Sequence, residues 1–232
     1  MTAPLRIFAA GSLRPAFDRL SAASPGALRI TYANARDLAQ RILAGEPADV
    51  FASASEQHPR MLHQAGVVQR PRPFANNRLV VAVARASPAG DADVLAQPGT
   101  RLVIEVAGIP LGDYTRELLT RMERVAGPGF AERVLANVVI EEQLVDAVAA
   151  RILAGGADAG VLYATDVAAR RLRLRAIEVP EGAGVAATYV ACVTTSTDDP
   201  DRANAWLDAL TAPAARAILL GAGFGPPPRD DG

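Results

Sequence analysis

The stretch Leu5-Arg6-Ile7-Phe8-Ala9-Ala10-Gly11-Ser12-Leu13 decides the fold of the first part of the chain. Its apolar beginning predicts a buried β-strand, and the glycine and serine predict a break followed by a helix. The start of a helix exposes unpaired N–H groups and the positive end of the helix dipole, and the Ser12 hydroxyl adds a donor there. Two roles are therefore open for Ser12, a helix N-cap or a donor to a bound anion.

Composition limits the class of protein. The chain has 232 residues, half of them hydrophobic, which is enough for a large core in one or two domains. The formal net charge is −1 and all 24 basic residues are arginine, so no basic surface for nucleic acid or an acidic membrane is expected. Cys192 is the single cysteine, which excludes an intrachain disulfide and a cysteine metal cluster. Its apolar neighbours predict a buried strand.

Short apolar strands alternate with amphipathic helices along the chain. Strands are predicted at 6–9, 28–32, 50–52, 79–84, 102–105, 160–163, 174–179 and 188–193, and helices at 13–22, 37–44, 56–65, 114–125, 145–154, 201–210 and 212–220. Continuous apolar strands flanked by helices are typical of parallel sheets that are buried on both faces. The pattern therefore predicts an α/β fold.

Several segments, taken in order, resemble the periplasmic molybdate-binding proteins, the solute receptors of ABC-type oxyanion importers. The similar segments are the opening stretch, Gly45–Phe51, Phe74–Val81, Ile109–Tyr114, Ala136–Glu142 and Gly156–Asp166. Each is short, but their common order and spacing cover nearly the whole chain. The chain is therefore identified as similar to this family.

The resemblance implies a two-lobed periplasmic-binding-protein fold of the type II kind, with a mostly parallel sheet flanked by helices in each lobe. The first lobe is expected to comprise residues 1–80 and 186–232, and the second residues 81–185. The chain would cross between the lobes near residues 77–85 and 186–193, and the ligand would bind in the cleft between the lobes. Closure around the ligand would then follow from its contacts with both lobes.

The resemblance also implies a set of ligand contacts. The hydroxyl and backbone N–H of Ser12, the backbone N–H groups of Leu111 and Val145, and the hydroxyl of Tyr163 would bind the anion. A dianion that leaves water needs many fixed donors, and helix starts supply them without a mobile cation. No metal ligands and no cofactor are expected, since the metal would be the centre of the bound oxyanion.

Two positions depart from the family pattern. The serine of the second binding segment is replaced by Ala35, which keeps only its backbone N–H, and Asn34 and Arg36 are the neighbours able to compensate. Arg36 has a second possible role, as a solvated residue paired with Asp37 or Gln40. In the fourth segment Asp146 stands where relatives commonly have arginine, and a carboxylate directed at an anion would oppose binding.

Other kinds of site find little support in the sequence. His58 and His63 are five residues apart, a poor spacing for one helix face, and are expected to be solvated rather than metal ligands. Without lysine there is no Walker-type phosphate loop, and no Gly-x-Ser-x-Gly nucleophile motif is present. We therefore expect no enzyme activity.

The expected function is capture of a tetrahedral oxyanion, molybdate or tungstate, by a monomeric receptor that delivers it to ABC permease subunits. The alternatives are a cytoplasmic anion-sensing or regulatory module of the same fold, or a receptor whose ligand differs because of Ala35 and Asp146. The N-terminus, Met1-Thr2-Ala3-Pro4, lacks the features of a signal peptide. Either a signal peptide has been removed from a periplasmic protein, or the protein is cytoplasmic.

Overall fold

The structure is a computed structural model, and it describes residues 3–24 and 26–228. The strands are β1 (Leu5–Ala10), β2 (Leu28–Ala33), β3 (Val50–Ser53), β4 (Arg72–Ala84), β5 (Leu102–Glu105), β6 (Val138–Glu142), β7 (Ala159–Tyr163), β8 (Leu174–Ile177) and β9 (Ala186–Val193). The α-helices are α1 (Arg14–Ala23), α2 (Ala35–Leu43), α3 (Gln57–Gln64), α4 (Pro110–Ala126), α5 (Phe130–Ala136), α6 (Val145–Leu153), α7 (Ala164–Ala169), α8 (Pro200–Ala209) and α9 (Pro213–Gly221). Short 3₁₀ helices span Gly11–Leu13 and Ala92–Ala96.

The chain forms two compact units. Unit 1 contains the residues up to Asn76 and those from Thr188 onward, and unit 2 contains Asn77–Ala187. The chain therefore passes from one unit to the other within β4 and returns within β9.

Unit 1 is built on the strand order β2-β1-β3-β9. β1 is parallel to both neighbours, with Ile7 opposite Ile30 on one side and Val50 on the other. β9 runs antiparallel to β3. β1 and β3 are buried throughout apart from the half-buried Arg6, as their apolar sequences predict.

Unit 2 has the strand order β6-β5-β7-β4-β8. β5 is parallel to β6 and to β7, whereas β4 is antiparallel to β7 and to β8. The sheet is therefore mixed, with its parallel part in β6, β5 and β7. The helices α4, α6 and α7 each begin after one of these three parallel strands.

Aromatic side chains fill part of the core of unit 1. Phe17 packs edge-on against Trp206, and Tyr189 packs edge-on against both Phe74 and Phe224. This cluster joins residues from the first and last parts of the chain, which explains how unit 1 forms from two separate segments. Cys192 lies buried in β9, as predicted, and burial raises the pKa of its thiol to about 12.

Some elements differ from the sequence-based prediction. All eight predicted strands are present, but β4 begins seven residues earlier, at Arg72, and the strand β6 was missed. The short helices α5 and α7 were also missed, and α4 begins at Pro110 rather than Tyr114. Proline at the first position of a helix is favourable, because that residue needs no intrahelical N–H.

Candidate functional site

The predicted residues of unit 1 lie at one edge of its sheet. β1 and β2 are parallel and end opposite each other, with Ala10 paired to Ala33. Ser12 follows β1 in the 3₁₀ turn, and the segment Asn34-Ala35-Arg36 follows β2 and opens α2. Since the carboxyl ends of neighbouring parallel strands meet at the same edge, these segments are brought together.

Ser12 is buried, with 3% of its surface exposed, and its Oγ lies 2.8 Å from the Oη of Tyr189. The N-cap positions of the 3₁₀ turn and of α1 are Ala10 and Leu13, so Ser12 does not have the N-cap role left open by the sequence. Tyr189 was not predicted as a site residue. Its place in an apolar strand far along the chain gave no local sign of this contact.

The other three residues of this edge differ in what their side chains do. Asn34 caps α2: its Oδ1 accepts the N–H of Asp37 and its Nδ2 donates to the Asp37 carboxylate, both at 2.8 Å. Ala35 is buried at the first position of α2, where the backbone N–H has no intrahelical acceptor. Arg36 is half-buried, and within residues 3–24 and 26–228 it forms no ion pair with Asp37 or with any other acidic residue.

The predicted residues of unit 2 lie at the start of three helices. Leu111 is the second residue of α4, Val145 is the first residue of α6, and Tyr163 ends β7 and is the N-cap residue of α7. These helices follow the adjacent parallel strands β5, β6 and β7. The structure therefore gathers the three helix starts at one edge of unit 2, and all three residues are buried.

A buried carboxyl group lies at the start of α4. Glu105, the last residue of β5, accepts the backbone N–H of Gly112 at 3.3 Å, and the N–H of Leu111 also bonds to it. Gly112 fits so closely under this strand end that a Cβ atom would lie 1.9 Å from the carbonyl oxygen of Val106. Burial raises the pKa of Glu105 to about 8, although the two N–H groups act in the opposite direction.

A second buried acid lies at the start of α7. Burial raises the pKa of Asp166 to about 7, while Arg170 lowers it and Asp146 raises it. Asp146, the departure from the family pattern, forms an ion pair with Arg170 at 2.5 Å. The arginine offsets the negative charge of Asp146, which weakens the predicted opposition to anion binding.

The histidines differ in environment. His63 is exposed, as expected, and its Nδ1 lies 3.1 Å from the carbonyl oxygen of Val68. His58 was expected to be solvated, and this was wrong: it is buried on the inner face of α3. Among the described residues there is no group of three or more histidine, cysteine, aspartate or glutamate side chains suited to a metal ion.

Both edges offer hydrogen-bond donors from the backbone and from hydroxyl groups. Donors fixed at helix starts suit an anion that has lost its water, because they neutralise charge without ordering a long cationic side chain. No helix in the described part of the chain is both long and apolar enough to cross a membrane.

Comparison with known proteins identifies the family of the chain. Residues 5–225 match the family model described as bacterial extracellular solute-binding protein. The molybdate-binding protein ModA of Mycobacterium tuberculosis is 33% identical over 230 residues, covering 95% of this chain and 84% of the relative.

Two solved structures show the same fold at low sequence identity. The periplasmic molybdate-binding protein of Azotobacter vinelandii has a TM-score of 0.81 at 22% identity, covering 97% of this chain and 100% of the other. The sulfate-binding protein SubI of Mycobacterium tuberculosis also has a TM-score of 0.81, at 17% identity, covering 97% of this chain and 87% of the other. They confirm the predicted two-lobed α/β fold class. The chain belongs to the bacterial extracellular solute-binding protein family.

Proposed function

We propose that the protein binds a tetrahedral oxyanion, molybdate or tungstate, as the receptor of an ABC importer. The observation that carries the proposal is the common placement of the predicted donors, each of which follows a strand or opens a helix and is buried. The relative over most of the chain is named as a molybdate-binding protein, which supports the choice of anion. The receptor is expected to act as a monomer in the periplasm and to dock on the permease subunits.

The proposed contacts in unit 1 are the hydroxyl and N–H of Ser12 and the N–H of Ala35. Arg36 is proposed as a further contact: a cation at the first turn of a helix is disfavoured by the helix dipole, and a nearby anion would relieve this. Asn34, the other neighbour able to compensate, is engaged with Asp37. We therefore propose that the Asn34 amide stabilises the helix start at which the N–H of Ala35 lies.

The proposed contacts in unit 2 are the N–H groups of Leu111 and Val145 and the hydroxyl of Tyr163. The Leu111 N–H would exchange its bond to the Glu105 carboxyl for one to the anion. Neutral donors such as these select for anions that accept hydrogen bonds at every oxygen, because a protonated oxyanion would place a donor against a donor. Size then separates molybdate and tungstate from the smaller sulfate.

A thermal-shift and calorimetry panel tests the proposal. Molybdate and tungstate should stabilise the protein more than sulfate and phosphate do. At a ligand concentration of one hundred times Kd, the free energy of unfolding should exceed that of the ligand-free protein by about 2.7 kcal/mol. Ser12→Ala should weaken anion binding by about 1–3 kcal/mol.

Arg36→Ala should also weaken anion binding, and it should reduce the dependence of the affinity on salt concentration, as expected for loss of a charge contact. Equal shifts for all four anions, or no shift with any of them, would contradict the proposed ligand.

A further inference from the structure

A third segment ends at the edge of unit 1 that holds Ser12 and Ala35. β1 lies between β2 and β3, and Ala9 of β1 is paired with Tyr32 on one side and Ala52 on the other. All three strands are parallel, so the residues that follow β3 emerge at the edge where Ser12 and Ala35 emerge. These residues are Ala54 and Ser55, directly after the last strand residue, Ser53.

Ser55 is buried at this edge and its hydroxyl has no internal partner. Only 7% of the residue is exposed, and within the described residues the Oγ atom makes no hydrogen bond. Its backbone N–H, in contrast, donates to the Oγ of Ser53 at 3.2 Å, which fixes the turn. The serine hydroxyl is thus held in place by the backbone while its own bonding capacity stays unused.

An unused buried hydroxyl is costly. Folding removes the group from water, and without a new hydrogen bond the lost hydration is not replaced. Two other buried polar side chains of this edge do have partners, since Ser12 bonds to Tyr189 and Asn34 bonds to Asp37. A residue whose hydrogen-bond partner is a ligand is expected to have an unpartnered polar group in the ligand-free protein. Ser55 has such a group, at an edge where other donors lie.

We propose that Ser55 is an additional anion contact, and that its hydroxyl supplies the hydrogen bond missing at Ala35. Ser55 flanks Ser12 from the β3 side, as Ala35 flanks it from the β2 side. A hydroxyl has one proton to donate, and with no internal acceptor that proton is available to an oxyanion oxygen. This inference rests on the proposed function and adds a specific contact to it.

The test measures molybdate and tungstate affinity by calorimetry in three variants. Ser55→Ala should weaken binding at least tenfold, because a hydrogen bond to a charged group is lost. The melting temperature of the ligand-free variant should stay the same or rise, since no internal hydrogen bond is removed. Adding Ala35→Ser to Ser55→Ala should restore most of the affinity, because it returns a hydroxyl to the other side of Ser12.

Ser53→Ala is the matched control. It removes a hydroxyl that accepts an internal hydrogen bond, so it should lower the melting temperature, which Ser55→Ala should not. Unchanged affinity in Ser55→Ala, with binding by the wild-type protein intact, would overturn this inference alone. Absence of anion binding by the wild-type protein would overturn the proposed function, and this inference with it.

Discussion

At the scale of single residues, the contact between Ser12 and Tyr189 defines how the first donor is oriented. The two oxygens lie 2.8 Å apart and either can donate. If the Ser12 proton points to an anion, the Tyr189 hydroxyl has to be the donor between the two. Tyr189 is held in place by its packing against Phe74 and Phe224, so it can fix the serine rotamer.

Tyr189→Phe is expected to weaken anion binding by about 1 kcal/mol, because it removes this hydrogen bond and keeps the ring packing. The effect should disappear in a Ser12→Ala background, which a double-mutant cycle of affinities measures. A purely structural role would lower the melting temperature and leave affinity unchanged. Equal losses of affinity in both backgrounds would show that Tyr189 acts independently of Ser12.

At the scale of elements, the start of α4 depends on Glu105. The N-cap residue Ile109 makes no side-chain cap, and the N–H groups of Leu111 and Gly112 bond instead to this carboxyl from the end of β5. Asp166 and Asp113 add negative charge nearby and raise its pKa further. The helix start that is proposed to bind an anion is therefore already next to a buried acid.

This burial predicts how stability changes with pH. In the unfolded chain Glu105 ionises near pH 4.5, whereas in the folded protein its pKa is raised to about 8. The contribution of protonated Glu105 to the free energy of unfolding is therefore complete below about pH 4.5 and is lost as the pH rises through 8. Glu105→Gln cannot ionise, so its stability should not fall over this pH range. At pH 9 the variant should be more stable than the wild type by about 2–5 kcal/mol.

Urea denaturation at pH 5, 7 and 9 measures the difference. Glu141→Gln is the control, because Glu141 is an exposed residue that pairs with Arg116 on the surface. Asp166 should leave some pH dependence in both proteins, since its pKa is also raised. Parallel stability curves for Glu105→Gln and the wild type would show that Glu105 does not titrate in this range.

At the scale of the whole molecule, the ion pair between Arg6 and Asp49 connects separate parts of the chain in unit 1. Arg6 of β1 bonds to Asp49, just before β3, through its backbone N–H and its guanidinium group, and Thr197 donates to the same carboxylate from the returning segment. Unit 2 repeats the pairing with Arg101 and Asp158, but with both side chains about half exposed. Because Asp49 is buried, the first pair is expected to contribute more to the free energy of unfolding than the second.

Asp49→Asn is expected to destabilise the protein by about 2–3 kcal/mol at pH 7, because the buried charge partner of Arg6 is lost and the exposed Asp198, 3.6 Å away, replaces it poorly. Burial alone would raise the pKa of Asp49, but the hydrogen bonds from Arg6 and Thr197 outweigh it and hold the pKa below its usual value. The stabilisation is therefore present near neutral pH and is lost as the pH falls through this lowered pKa.

Thermal denaturation between pH 3 and 7 checks this prediction. Asp158→Asn serves as the matched control and should cost less than about 1 kcal/mol, as for other exposed pairs. The gap between Asp49→Asn and the wild type should narrow towards pH 3. Equal destabilisation by both substitutions would show that burial does not set the strength of these pairs.

The sequence by itself determined the alternation of strands and helices and the positions at which strands give way to helix starts. The strand ends and helix starts near Ser12, Ala35, Val145 and Tyr163 agree with the prediction, because apolar runs, glycine breaks and helix-starting residues act over a few neighbouring positions. The strand β6 was missed because only alternate residues of it are half-buried, so its apolar signal is weak.

The tertiary structure alone decided the partners of these residues. Ser12 and Tyr189 are 177 positions apart, and no local pattern marks which tyrosine will reach which serine. Similarly, Glu105 and Ser55 are ordinary polar residues in the sequence, and only the pairing of β5 with β6 and β7, and of β1 with β3, places them in buried positions. Local propensities fix the elements, whereas hydrogen-bond partners, burial and the resulting pKa values depend on contacts between elements that are distant in the chain.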